Sequence, residues 1–187
     1  MRKALMALMI VLLSAVLFVS CDSNKMKTYK VGDDGPAGGI IFYVNPDAEK
    51  DGWTYLEVAK KDLGKYAFRS SSAQVNYDTK TDIGEGKNNT DLLKEAGIDT
   101  FPAAKVCVEY NGGGKTDWFL PSKDELNLIY ENLAKNNLIE FYEEHYWTSS
   151  CDVTQSGGYA WAQYLTDGSA VAYSYGFPYY ILPVRSF

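Results

Sequence analysis

The chain has one histidine and three cysteines in 187 residues, and no C-x-x-C pair. His145 with the scattered Cys107 and Cys151 cannot build an ordinary zinc site, which needs clustered nitrogen and sulfur ligands. Basic residues are also few: 18 Lys and Arg face 24 Asp and Glu, a net charge of −6 with no basic cluster. Such a surface repels nucleic acid, heparin-like polyanions and an anionic bilayer, so function by electrostatic adsorption to any of them is excluded. Internal repeats, heptads and low-complexity tracts are absent, as are a dinucleotide fingerprint and a paired-carboxylate motif. Gly112-Gly113-Gly114-Lys115-Thr116 resembles the end of a phosphate loop, but it follows a helical segment and lacks the spaced first glycine. Asp47-Ala48-Glu49-Lys50-Asp51-Gly52 begins like a calcium loop. The position of the closing bidentate carboxylate is Val58, so the run reads as an acidic hairpin turn. His145 has Ser149, Ser150 and Cys151 nearby, but on a strand whose side chains alternate faces, which denies it a nucleophile partner. No metal, no small-molecule cofactor and no catalytic residue is assigned, and the chain is read as a non-enzyme.

The one long apolar run lies at the head. Arg2 and Lys3 precede residues 4–19, which are almost wholly apolar, and Ser20-Cys21 leads into polar Asp22-Ser23-Asn24-Lys25. A positive start, an apolar centre and a small residue before the cut are the parts of a secretory signal peptide. A cysteine directly after them looks like the bacterial lipoprotein signal, in which Cys21 is lipidated and becomes the new N-terminus. Phe18 stands where Leu is usual. The competing reading is an uncleaved anchor, since the run approaches the roughly 20 residues that span a bilayer. The expected division is a signal peptide over 1–20, a lipidated Cys21 and polar tether over 21–31, and one domain over 32–187. The expected location is the cell envelope, lipid-anchored at the outer membrane or surface, with the periplasmic face as the alternative. Cys107 and Cys151 could close a disulfide in an oxidising compartment; the favoured reading is two unrelated thiols, Cys107 being a small apolar residue in a helix core.

The domain reads as strand, helix, strand. Residues 40–44 form a buried strand, and 53–59 alternate with period two, so the two are expected to make a hairpin around 45–52. Residues 65–89 are polar and read as a long surface loop. Thr90 can cap a helix that Gly97 stops, and Pro102 fits the first turn of a helix through Tyr110. Ser122 and Glu125 form a capping box, opening a helix with Leu126, Ile129, Tyr130 and Leu133 on one face. Strands follow over 145–150 and 159–165. Asp167-Gly168 turns into a strand over 170–175, and a last strand runs over 179–186. Strands at both ends with helices between predict an α+β domain whose first and last strands lie close together.

Aromatic residues crowd the tail. Tyr159, Trp161, Tyr173, Tyr175, Phe177, Tyr179 and Tyr180 fall in a short stretch, with Tyr159, Trp161 and Gln163 on one strand face and Val171, Tyr173 and Tyr175 on another. They are read either as sheet core with cross-strand aromatic pairs or as an exposed Tyr, Ser and Gly platform for a partner. On the second reading Tyr159, Trp161, Tyr173, Tyr175, Tyr179 and Tyr180 are the candidate ligand-binding residues.

Several motifs fall in order along the domain: Gly38-Gly39-Ile40-Ile41-Phe42-Tyr43-Val44, Gly52-Trp53-Thr54-Tyr55-Leu56-Glu57, Gly84-Glu85-Gly86-Lys87-Asn88-Asn89-Thr90, Ala103-Ala104-Lys105-Val106-Cys107, Asp117-Trp118-Phe119-Leu120-Pro121-Ser122-Lys123-Asp124-Glu125-Leu126, Tyr146-Trp147-Thr148-Ser149-Ser150, Ala160-Trp161 and Pro183-Val184-Arg185. The series resembles the family named for the C-terminal domain of the Legionella collagen-like adhesin, common in bacterial surface proteins and lipoproteins. The resemblance implies a C-type-lectin-like fold of the formylglycine-generating-enzyme type, with mixed or antiparallel strands at both ends and helices in the middle. Many members pair the helix cysteine, here Cys107, with a cysteine in the final strand; this chain has Pro183-Val184-Arg185 there, so that bond is unavailable. The adhesin's collagen-like repeat is absent too. The expected function is a non-catalytic binding or adhesion domain held to the membrane through Cys21, with a protein or glycan ligand. The alternatives are a structural envelope protein and an oxidase of the formylglycine-generating type.

Overall fold

A computed structural model describes residues 27–70, 77–155 and 157–187. The expected signal peptide over 1–20 and the expected lipidation site Cys21 lie outside the described residues. The elements in chain order are β1 (Ile40–Val44), α1 (Ala48–Asp51), β2 (Tyr55–Val58), β3 (Lys65–Ala67), α2 (Glu85–Glu95), α3 (Pro102–Glu109), α4 (Lys123–Ile129), β4 (His145–Cys151), β5 (Tyr159–Tyr164), β6 (Ala170–Ser174), β7 (Pro178–Tyr180) and β8 (Val184–Ser186). The architecture is mixed α+β with two sheets. One is three-stranded and antiparallel, in the order β1-β2-β8; the other has the order β3-β7-β4-β5-β6, in which only β4 and β7 run parallel.

The five-stranded sheet separates two cores, because successive strand residues point to opposite faces. Tyr146 faces a core with Phe42, Leu56, Leu126, Ile129 and Leu133, shared with the small sheet and α4. Trp147, Ala160 and Ala162 face the other, with Phe68, Leu93, Phe101, Ala104 and Cys107 from β3's end, α2 and α3. Trp118 seals a satellite cluster with Ala37, Ala59 and Tyr110.

Local signals explain several elements. Pro102 sits at the first turn of α3. The capping box of α4 is formed: Glu125 N donates to Ser122 Oγ at 3.2 Å and Ser122 N donates to Glu125 Oε2 at 2.8 Å. That helix continues through a wider turn over Tyr130–Ala134, which buries Leu133. β1 and β2 pair as an antiparallel hairpin, though α1 fills the connection instead of a simple turn. Asp47, Glu49 and Asp51 therefore lie on a helical turn facing water, with Asp51 accepting from Asn45 Nδ2 at 3.0 Å. Gly168 turns the β5–β6 hairpin with φ 79°.

Three expectations need correction. Residues 65–89 are not one surface loop: β3 pairs with β7, Phe68 is fully buried, and α2 begins at Glu85. Thr90 is not a cap but a buried mid-helix residue, and its Oγ1 accepts from Leu120 N at 3.1 Å. The start of α2 is Gly84, with φ 91° and no side-chain cap of its own, so no local signal marks it. The last strand is two strands in different sheets, β7 and β8. Between them Ile181 enters one core and Leu182 the other, and Pro183 has no N–H to continue a ladder. The final strand lies next to β2 and not next to β1, so the two ends of the domain meet through an intervening strand.

Candidate aromatic binding face

Register places the aromatic side chains. Opposed residues of paired strands share a face. His145 opposes Tyr164, Trp147 opposes Ala162, and Ala160 opposes Tyr173. Tyr180 pairs with Tyr146, so its neighbour Tyr179 joins the face of His145 and Trp147. Trp147 is fully buried, and its Nε1 donates to Tyr66 O at 3.0 Å and Phe177 O at 3.2 Å. Tyr179 packs over it at 4.9 Å between ring centroids. The face is therefore the outward continuation of the core around Trp147.

His145 sits at the centre of this face. Its ring lies 4.9 Å from Tyr173, 5.1 Å from Tyr179 and 5.3 Å from Tyr164, and Nε2 is 3.1 Å from the Tyr173 hydroxyl. Burial holds the imidazole below its ordinary pKa, against the opposing pull of the Glu144 and Asp167 carboxylates. Burial also pushes the Tyr179 phenol up to about 12, with Tyr173 beside it adding to the shift. Phe177 stacks nearly parallel to Tyr179 and is 50% exposed; Val171 is 45% exposed. The Lys65–Glu144 ion pair closes at 2.8 Å on the flanking strand ends. The result is a rigid, half-open ring cluster carrying phenol and imidazole groups, which can offer contact area and hydrogen bonds to a ligand.

The six candidate residues do not form one surface. Tyr173 and Tyr179 meet here, with ring centroids 5.0 Å apart. Tyr175 is 3% exposed and stacks on Phe68 at 4.8 Å, so it belongs to the core and has no open ring to offer a ligand. Tyr159, Trp161 and Tyr180 lie on the opposite sheet face. The Trp161 ring centroid lies 3.5 Å from Lys123 Nζ. Tyr180 is stacked against Tyr142 and Tyr146 at 4.6 and 5.5 Å. Sequence reasoning missed His145 and Tyr164 as members. The parity of His145 with Trp147 was a usable signal, but the parallel β4–β7 pairing that brings Tyr179 to them leaves no local mark.

Several polar side chains of the interior are tied to backbone. Ser149 Oγ donates to Pro121 O at 3.2 Å and Ser150 Oγ to Lys80 O at 2.7 Å, both residues fully buried. Asn89 bridges Lys80 and Ser149. Cys107 and Cys151 are free buried thiols in the same core, and burial pushes both thiols up. Among the described residues no group of three His, Cys, Asp or Glu could hold a metal, and no helix is long and apolar enough to cross a membrane. No protein-family model matches the chain, and no curated protein sequence matches it.

Proposed function

We propose that this chain is a bacterial lipoprotein, anchored through Cys21, whose domain is a non-catalytic binding or adhesion module of C-type-lectin-like fold. The observation that carries the reading is the half-open cluster of His145, Tyr164, Tyr173, Phe177 and Tyr179. Large rigid rings with wet polar tips bind at low entropic cost, because few rotatable bonds are frozen. The resemblance in the Asp117–Leu126 segment supports the lectin-like assignment. The oxidase alternative has weaker support: Cys107 is fully buried among Phe68, Leu93 and Phe101, so its sulfur does not fit a copper site open to substrate.

The test is binding of the purified protein to arrays of glycans and extracellular-matrix proteins, alongside Tyr173→Ala and Phe177→Ala variants. Binding that both variants abolish, with unchanged circular dichroism, supports the module. Binding that neither variant alters would sink the assignment of this face. Protease treatment of intact cells places the domain: digestion without lysis puts it outside, and protection until lysis puts it in the periplasm.

A further inference from the structure

A second aromatic cluster lies where the chain enters the domain. Tyr29, Tyr55 and Phe187 come from the segment before β1, the start of β2 and the residue after β8. Their rings meet pairwise at 5.3, 5.8 and 5.3 Å, and Tyr29 N donates to the Tyr55 hydroxyl at 3.1 Å. With Pro36, Thr54 and Thr28 they line an open groove of about 500 Å³ whose walls are mostly carbon. All three rings are partly exposed, and none belongs to a core cluster. Lys27 stands at the rim, with Nζ 4.6 Å from the Tyr29 ring centroid.

We propose that this groove is the face the domain rests against the phospholipid bilayer, at the boundary of headgroups and acyl chains. The inference rests on the lipoprotein reading of Cys21. Five residues, 22–26, separate Cys21 from Lys27. Even fully extended, that link spans only about 20 Å, so the groove is held by connectivity near the membrane surface. Its chemistry fits that place. Tyr rings put an apolar body in lipid and a hydroxyl in the wet headgroup layer, and a Lys stem lies along apolar surface while its amine reaches water. The chain's negative charge gives no electrostatic attraction to anionic lipid, so contact depends on apolar area and on the tether. The tether makes that contact effectively intramolecular, so a small patch suffices where a free domain would not adsorb.

The test uses the full chain expressed in a bacterial host and reconstituted in phosphatidylethanolamine and phosphatidylglycerol vesicles. Mass spectrometry of the N-terminal peptide reads the acylation of Cys21. Nitroxide labels on Thr28→Cys and, as reference on the other aromatic face, Val171→Cys then report collisions with oxygen and with a water-soluble nickel chelate. The expected result is acylated protein with the label at 28 several-fold more accessible to oxygen than to nickel, and the reverse at 171. Phe187→Ser should move the label at 28 toward water. An acylated protein whose label at 28 is as wet as that at 171 overturns the docking face and leaves the lipoprotein reading intact. A label at 28 that stays in lipid regardless of Phe187→Ser overturns the role of the rings. An unmodified Cys21 removes the lipoprotein reading and the docking face together.

Discussion

Arg185 and Glu57 oppose each other on neighbouring strands and form an ion pair inside the molecule, Nη1 donating to Oε2 at 3.0 Å with side chains 5% and 0% exposed. The rest of the guanidinium forks onto Asp117, Nε to Oδ1 and Nη2 to Oδ2, both at 2.8 Å. Glu57 also accepts from Ala37 N at 3.0 Å and Gly39 N at 2.8 Å. One pair thus joins the last strand, the central strand of the small sheet and the turn before β1.

Removing one partner strands the other. Arg185→Met should cost about 3–5 kcal/mol in urea unfolding, because Glu57 is left buried without a counter-charge. Glu57→Gln together with Arg185→Met should recover part of that loss. Asp117→Asn should cost much less, since that carboxylate is 44% exposed. A loss below about 1 kcal/mol for Arg185→Met would contradict the pairing.

Glu125 joins two helix starts. Oε2 closes the α4 capping box, and Oε1 accepts from Gly84 N at 2.9 Å at the head of α2, 41 residues away. Burial pushes its carboxyl up to about 7, even though three backbone N–H groups pull it down. The folded state therefore holds this proton above the unfolded pKa near 4.5, so its stabilising contribution is full below 4.5 and is lost as pH rises through 7. Glu125→Gln should flatten that slope in urea midpoints measured from pH 4 to 8. It should also lower stability by about 1–3 kcal/mol, because an amide N–H group confronts an N–H donor.

The sign is opposite at His145. Burial lowers its folded pKa, so its contribution is present above 6.5 and is lost as pH falls through the lower folded value. As His145 is the sole histidine, one imidazole C–H resonance reports it directly. The NMR midpoint should lie below 6.5 and rise to the peptide value on unfolding. A native midpoint at or above 6.5 would show that the Glu144 and Asp167 carboxylates outweigh burial.

Gly86→Ala should reverse the usual helix rule. In an open helix that change gains up to about 1 kcal/mol. Here a β-carbon would run into Glu125 Oε2 and stand 2.8 Å from Ser122 N and 2.9 Å from Phe119. The thermal midpoint should fall. Gly97→Ala meets no such atoms but must hold φ 111°, so its cost comes from the backbone alone.

Much of the fold was legible because its cues are short-range. The apolar run over 40–44, the alternation over 159–164, the Asp167-Gly168 turn, Pro102 and the Ser122/Glu125 box each act within a few residues, and each is where the sequence predicts it. The missed helix start at Glu85 shows the limit. Its N–H groups are satisfied by a carboxylate from another helix, so nothing nearby announces it. Of the residues named from sequence, Tyr173 and Tyr179 meet on the candidate face, whereas Tyr175 is buried against Phe68, a contact between segments far apart in the chain.

Residue order alone dictated the short-range features, the Ser122/Glu125 cap, Pro102 at the start of α3 and the Asp167-Gly168 turn, since each follows from backbone sterics and hydrogen bonds within a few residues. Tertiary structure alone decided that the chain changes sheets between Tyr180 and Val184, that Glu125 serves two helices, and which tyrosines meet around His145. Those outcomes depend on pairings between residues tens of positions apart. Such contacts form only when the burial of whole faces offsets the entropy of closing the chain between them.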